Sequence, residues 1–245
     1  TKTRLGKNKI KTFIYYYLVT NIKMNISKQE LEQMVGKKLN FATKDNGLIL
    51  ATTYDNPNLR EELEGKARKP YEHFQVFNQN DQPVLVEGND LLLYRKECHG
   101  QERIQGLYHR GGNAFIVNSN DEILVPIRAA DKDLFPSMGD VSVSEHVKVR
   151  ESYFDSVLRG FQEEQGVSID PRKLQFIMKV PVIDSEQSEM CEYYVCKTET
   201  VKGSDEIASQ RWVPIQSLVG KDIGRELNFR PDHLPALEKF VSMYK

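Results

Sequence analysis

Glu163 and Glu164 are adjacent carboxylates in the stretch RGFQEEQGVS, which spans residues 159–168. Arg159 precedes the pair and Gly166 follows it, as at the end of a helix. Two acids at the C-terminal end of a helix are slightly unfavourable, because the helix dipole favours cations there. A divalent cation would offset this cost, since carboxylate oxygens are hard ligands that suit Mg²⁺ and Mn²⁺. Alone, the pair is more typical of a solvated helix face than of a metal site, so the surrounding residues decide the interpretation.

The segment that carries the pair is predicted to form a helix from near Ser152 to Gln165. Ser152 followed by Asp155 is a capping-box pattern, and Gly166 stands where a left-handed residue ends a helix. The helix is predicted to bury one apolar stripe, which consists of Phe154, Val157, Leu158 and Phe161. The two carboxylates lie on the opposite face, accessible to a metal ion or to solvent.

The spacing around the pair resembles the signature of the Nudix family, G-x5-E-x7-R-E-U-x-E-E-x-G-U, where U is a bulky apolar residue. The positions that match are Glu151, Arg159, Phe161, Glu163, Glu164, Gly166 and Val167. Two positions depart: Glu145 stands where the signature begins with glycine, and Gly160 stands where it has a glutamate. The preceding segment, with HRGG and KDLFP, resembles the Nudix subgroup related to isopentenyl-diphosphate isomerase.

This resemblance implies a fold, a reaction and a set of site residues. Residues 71–245 are expected to form an α/β (α+β) Nudix domain, a mixed β-sheet sandwiched between helices. The implied reaction is hydrolysis of the pyrophosphate bond of a nucleoside diphosphate derivative, with Mg²⁺ or Mn²⁺ as cofactor. The implied catalytic residues are Glu163, Glu164 and Arg159. The candidate metal ligands are Glu163, Glu164, Glu151, Glu145 and Glu192, the last from a later strand.

Gly160 leaves two classes of function open. On a helix, positions 160, 163 and 164 share a face, so the glycine removes a carboxylate from it. Glycine also costs about 1 kcal/mol of helix propensity relative to alanine. One hypothesis is a hydrolase with a weakened metal site, in which Gly160→Glu would restore the third carboxylate. The alternative is a catalytically silent Nudix domain that binds a nucleotide or a protein partner.

The isomerase reaction itself is not predicted. It would require a catalytic cysteine after the first hairpin of the domain, and residues 128–139 contain no cysteine. The histidines at 99, 109 and 146 are too scattered along the sequence to predict a zinc site.

Composition limits the remaining classes of protein. The chain has 245 residues, with 34 basic and 35 acidic side chains, and this near-neutral balance argues against a nucleic-acid-coating or polybasic membrane-binding protein. Its apolar runs are shorter than the ~20 residues that span a bilayer. Cys98, Cys191 and Cys196 have no CxxC spacing, which predicts reduced thiols in the cytoplasm.

Residues 1–70 are predicted to form a small N-terminal α/β element. Residues 13–19 are predicted to form a strand rather than a targeting segment, because the stretch is rich in tyrosine and β-branched residues and lacks a small-residue cleavage site. A helix follows, which starts at the capping box of Ser27 and Glu30 and stops at Gly36. A strand in GLILATTY and a short charged helix follow. Beyond residue 70, turns at NQND and NSND predict two hairpins, three more strands follow, and DHLPALEKFVSMYK predicts a closing amphipathic helix.

Overall fold

The computed structural model describes residues 24–66, 72–100, 103–132, 134–183, 187–205 and 207–244. The strand predicted over residues 13–19 lies outside these ranges. The contacts between residues divide the chain into two units. The first unit extends to Arg110 and also includes a short segment that ends at Glu189. The second unit contains the other residues from Gly111 onwards. Among the residues described, no helix is both long enough and apolar enough to cross a bilayer.

The first unit is built on a mixed sheet of six strands. The strands are β1 (Met24–Ile26), β2 (Asn40–Lys44), β3 (Leu48–Thr52), β4 (His73–Gln75), β5 (Val84–Val86) and β6 (Asn89–Tyr94), and the helices are α1 (Lys28–Val35), α2 (Leu59–Leu63) and α3 (Arg95–Cys98). The strand order is β1-β5-β6-β3-β2, with β4 also paired to β6. The capping box of Ser27 and Glu30 is present, and Gly36 ends α1 with a φ of 73°, so the predicted limits of this helix are confirmed.

The position of the first unit's end differs from the boundary predicted after residue 70. β6 pairs in parallel with β3 from Leu48↔Asp90 to Ala51↔Leu93, and β1 pairs in parallel with β5. These pairings join residues on both sides of position 70 in one sheet. A sequence pattern shows where strands occur, but the partner of a strand is set by contacts between distant residues.

His99 and His109 are in contact inside the first unit, although their separation in the sequence did not indicate it. Their Nε2 atoms are 3.0 Å apart, and the ring of Phe74 stacks on His109 with centroids 5.0 Å apart. Burial, together with the neighbouring His99, holds the pKa of His109 well below its ordinary value. His109 is therefore neutral at physiological pH.

The second unit is built on the other sheet. Its strands are β7 (His109–Val117), β8 (Glu122–Arg128), β9 (Val143–His146), β10 (Leu174–Ile183), β11 (Ser188–Lys197) and β12 (Ile207–Pro214). The first two residues of β7 and of β11 belong to the first unit. The helices of the second unit are α4 (Tyr153–Glu163), α5 (Ile215–Leu218), α6 (Ile223–Leu227) and α7 (Leu234–Met243). The strand order is β10-β11-β7-β8-β12, with β9 paired to β7. The predicted NSND hairpin, the three later strands and the closing helix are all confirmed.

Helices cover both faces of this sheet, as predicted. Side chains alternate along β7, so odd and even positions face opposite sides. Phe115 and Val117 belong to the core that includes residues of α5, α6 and α7. On the other face, Gly112 lies against α4, where a Cβ atom at position 112 would be 2.1 Å from the Oγ of Ser156. The sheet is thus sandwiched between α4 and the three C-terminal helices.

A buried ion network anchors the segment that leads into β9. Arg230 donates to the carboxylate of Asp140 at 2.9 Å and is also paired with Asp232, while Arg128 reaches Asp140 at 2.8 Å. Burial alone would raise the pKa of Asp140, but the charges of Arg230 and Arg128 lower it to about 2. Asp140 is therefore an anion that ties β8 and the chain before α7 to the start of β9.

Acidification is expected to destabilise the second unit through His233. Burial, and then the charge of Arg230, lower the pKa of His233 from 6.5 to about 4. Because the folded-state pKa lies below the unfolded one, the stability contributed by the neutral ring is complete above pH 6.5 and is lost as the pH falls towards 4. The expected loss between pH 7 and pH 4 is about 3 kcal/mol, measured as the free energy of unfolding in urea.

The control is His233→Gln. In the native protein the Tyr193 hydroxyl lies 3.2 Å from the Nδ1 of His233, and glutamine keeps an acceptor for this hydroxyl while it removes the titrating ring. Carboxylates titrate in both proteins, so the difference between the two pH profiles isolates His233. Identical pH profiles for the two proteins would contradict the assignment.

Candidate functional site

Local hydrogen bonds set the two ends of α4. The Oγ of Ser152 accepts from the backbone N–H of Asp155 at 3.0 Å and donates to the Asp155 carboxylate at 2.6 Å. At the other end Gly166 has a φ of 64°, and the N–H of Val167 donates to the carbonyl of Phe161 at 3.0 Å. The predicted start and left-handed cap are confirmed, and the helix ends at Glu163, two residues before the predicted end.

The buried face of α4 differs in part from the predicted apolar stripe. Val157 and Phe161 are fully buried, as expected, but Phe154 and Leu158 are only half-buried. The remaining buried positions are Tyr153, Ser156 and Gly160. The helix is rotated so that small residues face the sheet, because these allow α4 to approach the strands more closely than an aliphatic stripe would.

Arg159 is the centre of the polar face of α4. Its Nε and Nη2 donate to the two oxygens of Glu151 at 3.0 and 3.1 Å, a bidentate pair. Its Nη1 donates to Glu145 at 2.6 Å and to Glu163 at 3.0 Å, and Nη2 also reaches the carbonyl of His146 at 2.8 Å. Three of the predicted metal-binding acids are therefore brought together on one guanidinium.

The pKa values at this centre follow from these bonds. Burial alone would lower the pKa of Arg159, but hydrogen bonds from it to Glu151 and Glu145 raise the pKa above its ordinary value. Burial alone would raise the pKa of Glu151, but the bonds from Arg159 and from the N–H of Lys148 lower it. Both groups are charged at neutral pH, so Glu151 is available as an anionic oxygen ligand.

Glu163 and Glu164 point to different surroundings. The Glu163 side chain is 52% exposed and lies 3.5 Å from the Nζ of Lys148. Glu164 is half-buried, and its carboxylate accepts from the backbone N–H of Ser144 in β9 at 3.0 Å. Of the two neighbouring acids, Glu163 thus faces solvent and Glu164 is bound to β9.

Glu192 has its own partners on β10 and β11. Its carboxylate accepts from Lys179 at 3.2 Å and from the hydroxyl of Tyr194 at 2.6 Å. Lys179 also lies over the ring of Tyr153, 4.6 Å from its centroid. Among these hydrogen bonds, Glu192 therefore shares no partner with the three acids that Arg159 binds.

The packing of α4 against β9 leaves little space for a side chain at position 160. A Cβ atom at this position would lie 2.4 Å from the Cγ1 of Val143 and 2.6 Å from the Cγ of Glu145. Both distances are shorter than Cβ contacts in proteins allow. A side chain at position 160 would therefore require Val143 or Glu145 to shift, so Gly160→Glu would add a carboxylate only together with a rearrangement of these two residues.

The junction between α4 and β9 has an excess of negative charge. Its carboxylates are Glu145, Glu151, Glu163 and Glu164, and its cationic side chains are Arg159 and Lys148. Lys148 was not among the predicted site residues, although it precedes Glu151 in the turn KVRE. In this turn Arg150 has a φ of 62°, and the N–H of Lys148 donates to Glu151 at 2.8 Å. The donors are hard oxygens, which fit Mg²⁺ or Mn²⁺ in chemistry and charge.

Comparison of the sequence with known proteins finds relatives, although no protein-family model matches the chain. A Nudix hydrolase of Deinococcus radiodurans is 30% identical over 150 residues, which cover 56% of this chain and 85% of that protein. An uncharacterised Nudix hydrolase of Nostoc is 32% identical over 94 residues, 38% of this chain and 55% of that protein. The isopentenyl-diphosphate Δ-isomerase 1 of Photorhabdus laumondii is 32% identical over 97 residues, 38% of this chain and 54% of that protein. The last two matches thus cover about half the length of each relative.

A similar fold occurs among solved structures. A crystal structure of a Deinococcus radiodurans protein superposes with a TM-score of 0.51 at 24% sequence identity. The superposition covers 70% of this chain and 98% of that protein. The likeness concerns the arrangement of strands and helices.

Replacement of Arg159 by lysine is expected to lower the free energy of unfolding by about 3 kcal/mol, because an ammonium cannot bridge the partly buried carboxylates that the guanidinium holds together. The measurement is urea denaturation at neutral pH and low salt. Arg172→Lys is the control, since the Arg172 side chain is 90% exposed and its pair with Asp170 is solvated. Equal effects of the two substitutions would contradict a central role for Arg159.

Proposed function

The chain belongs to the Nudix family, and we propose that it hydrolyses the pyrophosphate bond of a nucleoside diphosphate derivative with Mg²⁺ or Mn²⁺ as cofactor. The observation that carries the proposal is the convergence of Glu145, Glu151 and Glu163 on Arg159. These acids come from β9, from the turn after it and from α4. A structural salt bridge needs one carboxylate for one guanidinium, whereas this junction supplies an excess.

The proposed ligands of the cation are Glu145, Glu151, Glu163 and Glu164, with Glu192 as a further candidate on its own strand. When bound, the cation supplies charge neutralisation for the phosphates and a bound water of lowered pKa. Glu163 is the most accessible of the acids around Arg159, since its side chain is 52% exposed and those of Glu145 and Glu151 are each 16% exposed. Its proposed role is therefore direct contact with the cation.

Arg159 and β9 have a proposed role in positioning. The bidentate bond from Nε and Nη2 fixes the plane of the Glu151 carboxylate, and Nη1 sets the direction of Glu145 and Glu163. The N–H of Ser144 holds Glu164 in the same way from the strand. These bonds keep several anions close together before a substrate binds, and partners that orient the ligands in this way raise the affinity of a site for its metal.

The substrate class follows from the charge of the junction and from the family. Carboxylates alone repel a pyrophosphate, so the ligand is expected to bind together with the cation and to raise the affinity for it. The proposed partner is a small molecule.

The proposal includes a cytoplasmic location. It is supported by the three cysteines, which are free and buried, as is usual in a reducing compartment.

A second candidate function is a catalytically silent domain that binds a nucleotide or a protein partner. It is favoured by Gly160, since the helix lacks the acid that the signature places there. It is also favoured by the fact that Arg159 already neutralises part of the carboxylate charge. The two functions differ in whether the bound nucleotide is cleaved.

The double substitution Glu163→Gln/Glu164→Gln is expected to abolish hydrolysis, because it removes two anionic ligands while keeping the size of both side chains. The measurement is release of phosphate or mononucleotide from a panel of nucleoside diphosphate derivatives with Mg²⁺ and with Mn²⁺. Glu238→Gln, at an exposed position on α7, is the control for the change of charge. Hydrolysis that persists in the double variant would exclude the metal mechanism, and tight nucleotide binding by a wild type without turnover would favour the second function.

A further inference from the structure

Positions 145 and 160 depart from the Nudix signature in opposite senses. Glu145 of β9 carries an acid where the signature has glycine, and Gly160 of α4 is a glycine where the signature has an acid. In the structure these two residues face each other. A Cβ atom at position 160 would lie 2.6 Å from the Cγ of Glu145, so the aliphatic part of Glu145 occupies volume that any side chain at position 160 would need.

The carboxylate of Glu145 reaches the helix face that Gly160 leaves without an acid. Arg159 Nη1 donates to Oε2 of Glu145 at 2.6 Å and to Oε2 of Glu163 at 3.0 Å. Because both oxygens bind the same nitrogen, the acid from the strand and the acid from the helix are neighbours. The Glu145 side chain is only 16% exposed, so its position is set by packing as well as by charge.

The register of the strands explains why the helix lies so close to Glu145. Glu145 is the partner of Gly112 in β7, and a Cβ atom at position 112 would be 2.9 Å from the backbone oxygen of Tyr153 and closer still to Ser156. Ser156 and Gly160 are four residues apart and share one face of α4. Small residues thus hold the helix backbone against both strands, and Glu145 fits beside it because position 160 has no side chain.

We infer that Glu145 and Gly160 are an exchanged pair, in which the strand supplies the acid of the cation site and the helix supplies the space for it. The inference rests on the proposed hydrolase function and identifies Glu145 as a residue of that site. It also makes the two positions interdependent, since a side chain at position 160 and the acid at position 145 compete for one volume.

The steric part of the exchange is tested on the metal-free, full-length protein. Gly160→Ala is expected to lower the melting temperature of the second unit by about 5 °C, because the methyl group overlaps Val143 and Glu145. In a Glu145→Gly background the drop is expected to be smaller, because the overlap with Glu145 is removed and only the overlap with Val143 remains. Glu151→Gly is the matched background, since it removes another acid bound to Arg159 without touching the space at position 160. An equal drop in all three backgrounds would overturn the inference.

The chemical part is tested by titration of the full-length protein with Mn²⁺ alone, followed by electron paramagnetic resonance. Glu145→Gln keeps the volume and removes the charge, and it is expected to weaken Mn²⁺ binding at least about tenfold. Glu238→Gln serves as the control for a charge lost elsewhere on the unit. Nucleotide hydrolysis is measured on the same preparations.

The outcomes separate the inference from the proposed function. Unchanged Mn²⁺ affinity and turnover in Glu145→Gln, with an active wild type, would overturn the inference and leave the hydrolase proposal standing. Weaker Mn²⁺ binding in Glu145→Gln, with a wild type that cleaves no nucleotide, would support the inference and contradict the hydrolase proposal. A wild type that does not bind Mn²⁺ would overturn both.

Discussion

The close approach of α4 to β7 and β9 is the constraint on which the second unit's site depends. A helix can lie this near to two strands only where side chains are absent from the contact, and Gly112 and Gly160 provide those positions. With the helix at this distance, Arg159 reaches back to the acid at position 145 and to the carbonyl of His146. A larger residue at either glycine would move α4 outwards and lengthen every bond that Arg159 makes to the strand.

Electrostatics acts within the geometry that this packing sets. Arg159 neutralises part of a group of four carboxylates, and Lys148 adds a solvated charge beside Glu163. Half-buried anions are stable only with cationic or N–H partners, and the bonds from Arg159 and from the N–H of Ser144 meet that need. At the other end of the segment, the buried network around Asp140 holds the chain that enters β9. The acids of the site are thus carried by a segment that is fixed at both ends.

Features that depend on residues a few positions apart could be predicted from the sequence. The cap of α4 at Ser152 and the left-handed Gly166 follow from local hydrogen bonds and from a φ that glycine adopts without strain. The two hairpin turns NQND and NSND work alike, since Asn78 and Asn118 each accept backbone N–H bonds from residues two and four positions later. The mixed sheet, the helices around it and the family resemblance followed from the same short-range patterns.

What the sequence by itself determined was therefore the kind and order of the elements, and the presence of a carboxylate-rich box around Arg159. Only the tertiary structure decided that the first sheet extends to residues beyond position 90, that His99 meets His109, and that Glu192 binds Lys179 on a neighbouring strand. It also explains Gly160. In the sequence this residue is a missing acid of the signature, whereas in the structure it leaves the space that Val143 and Glu145 occupy. The physical reason is the same in each case: strand partners, helix rotation and interatomic clearance depend on residues far apart in the chain, and local propensity carries no information about their distance.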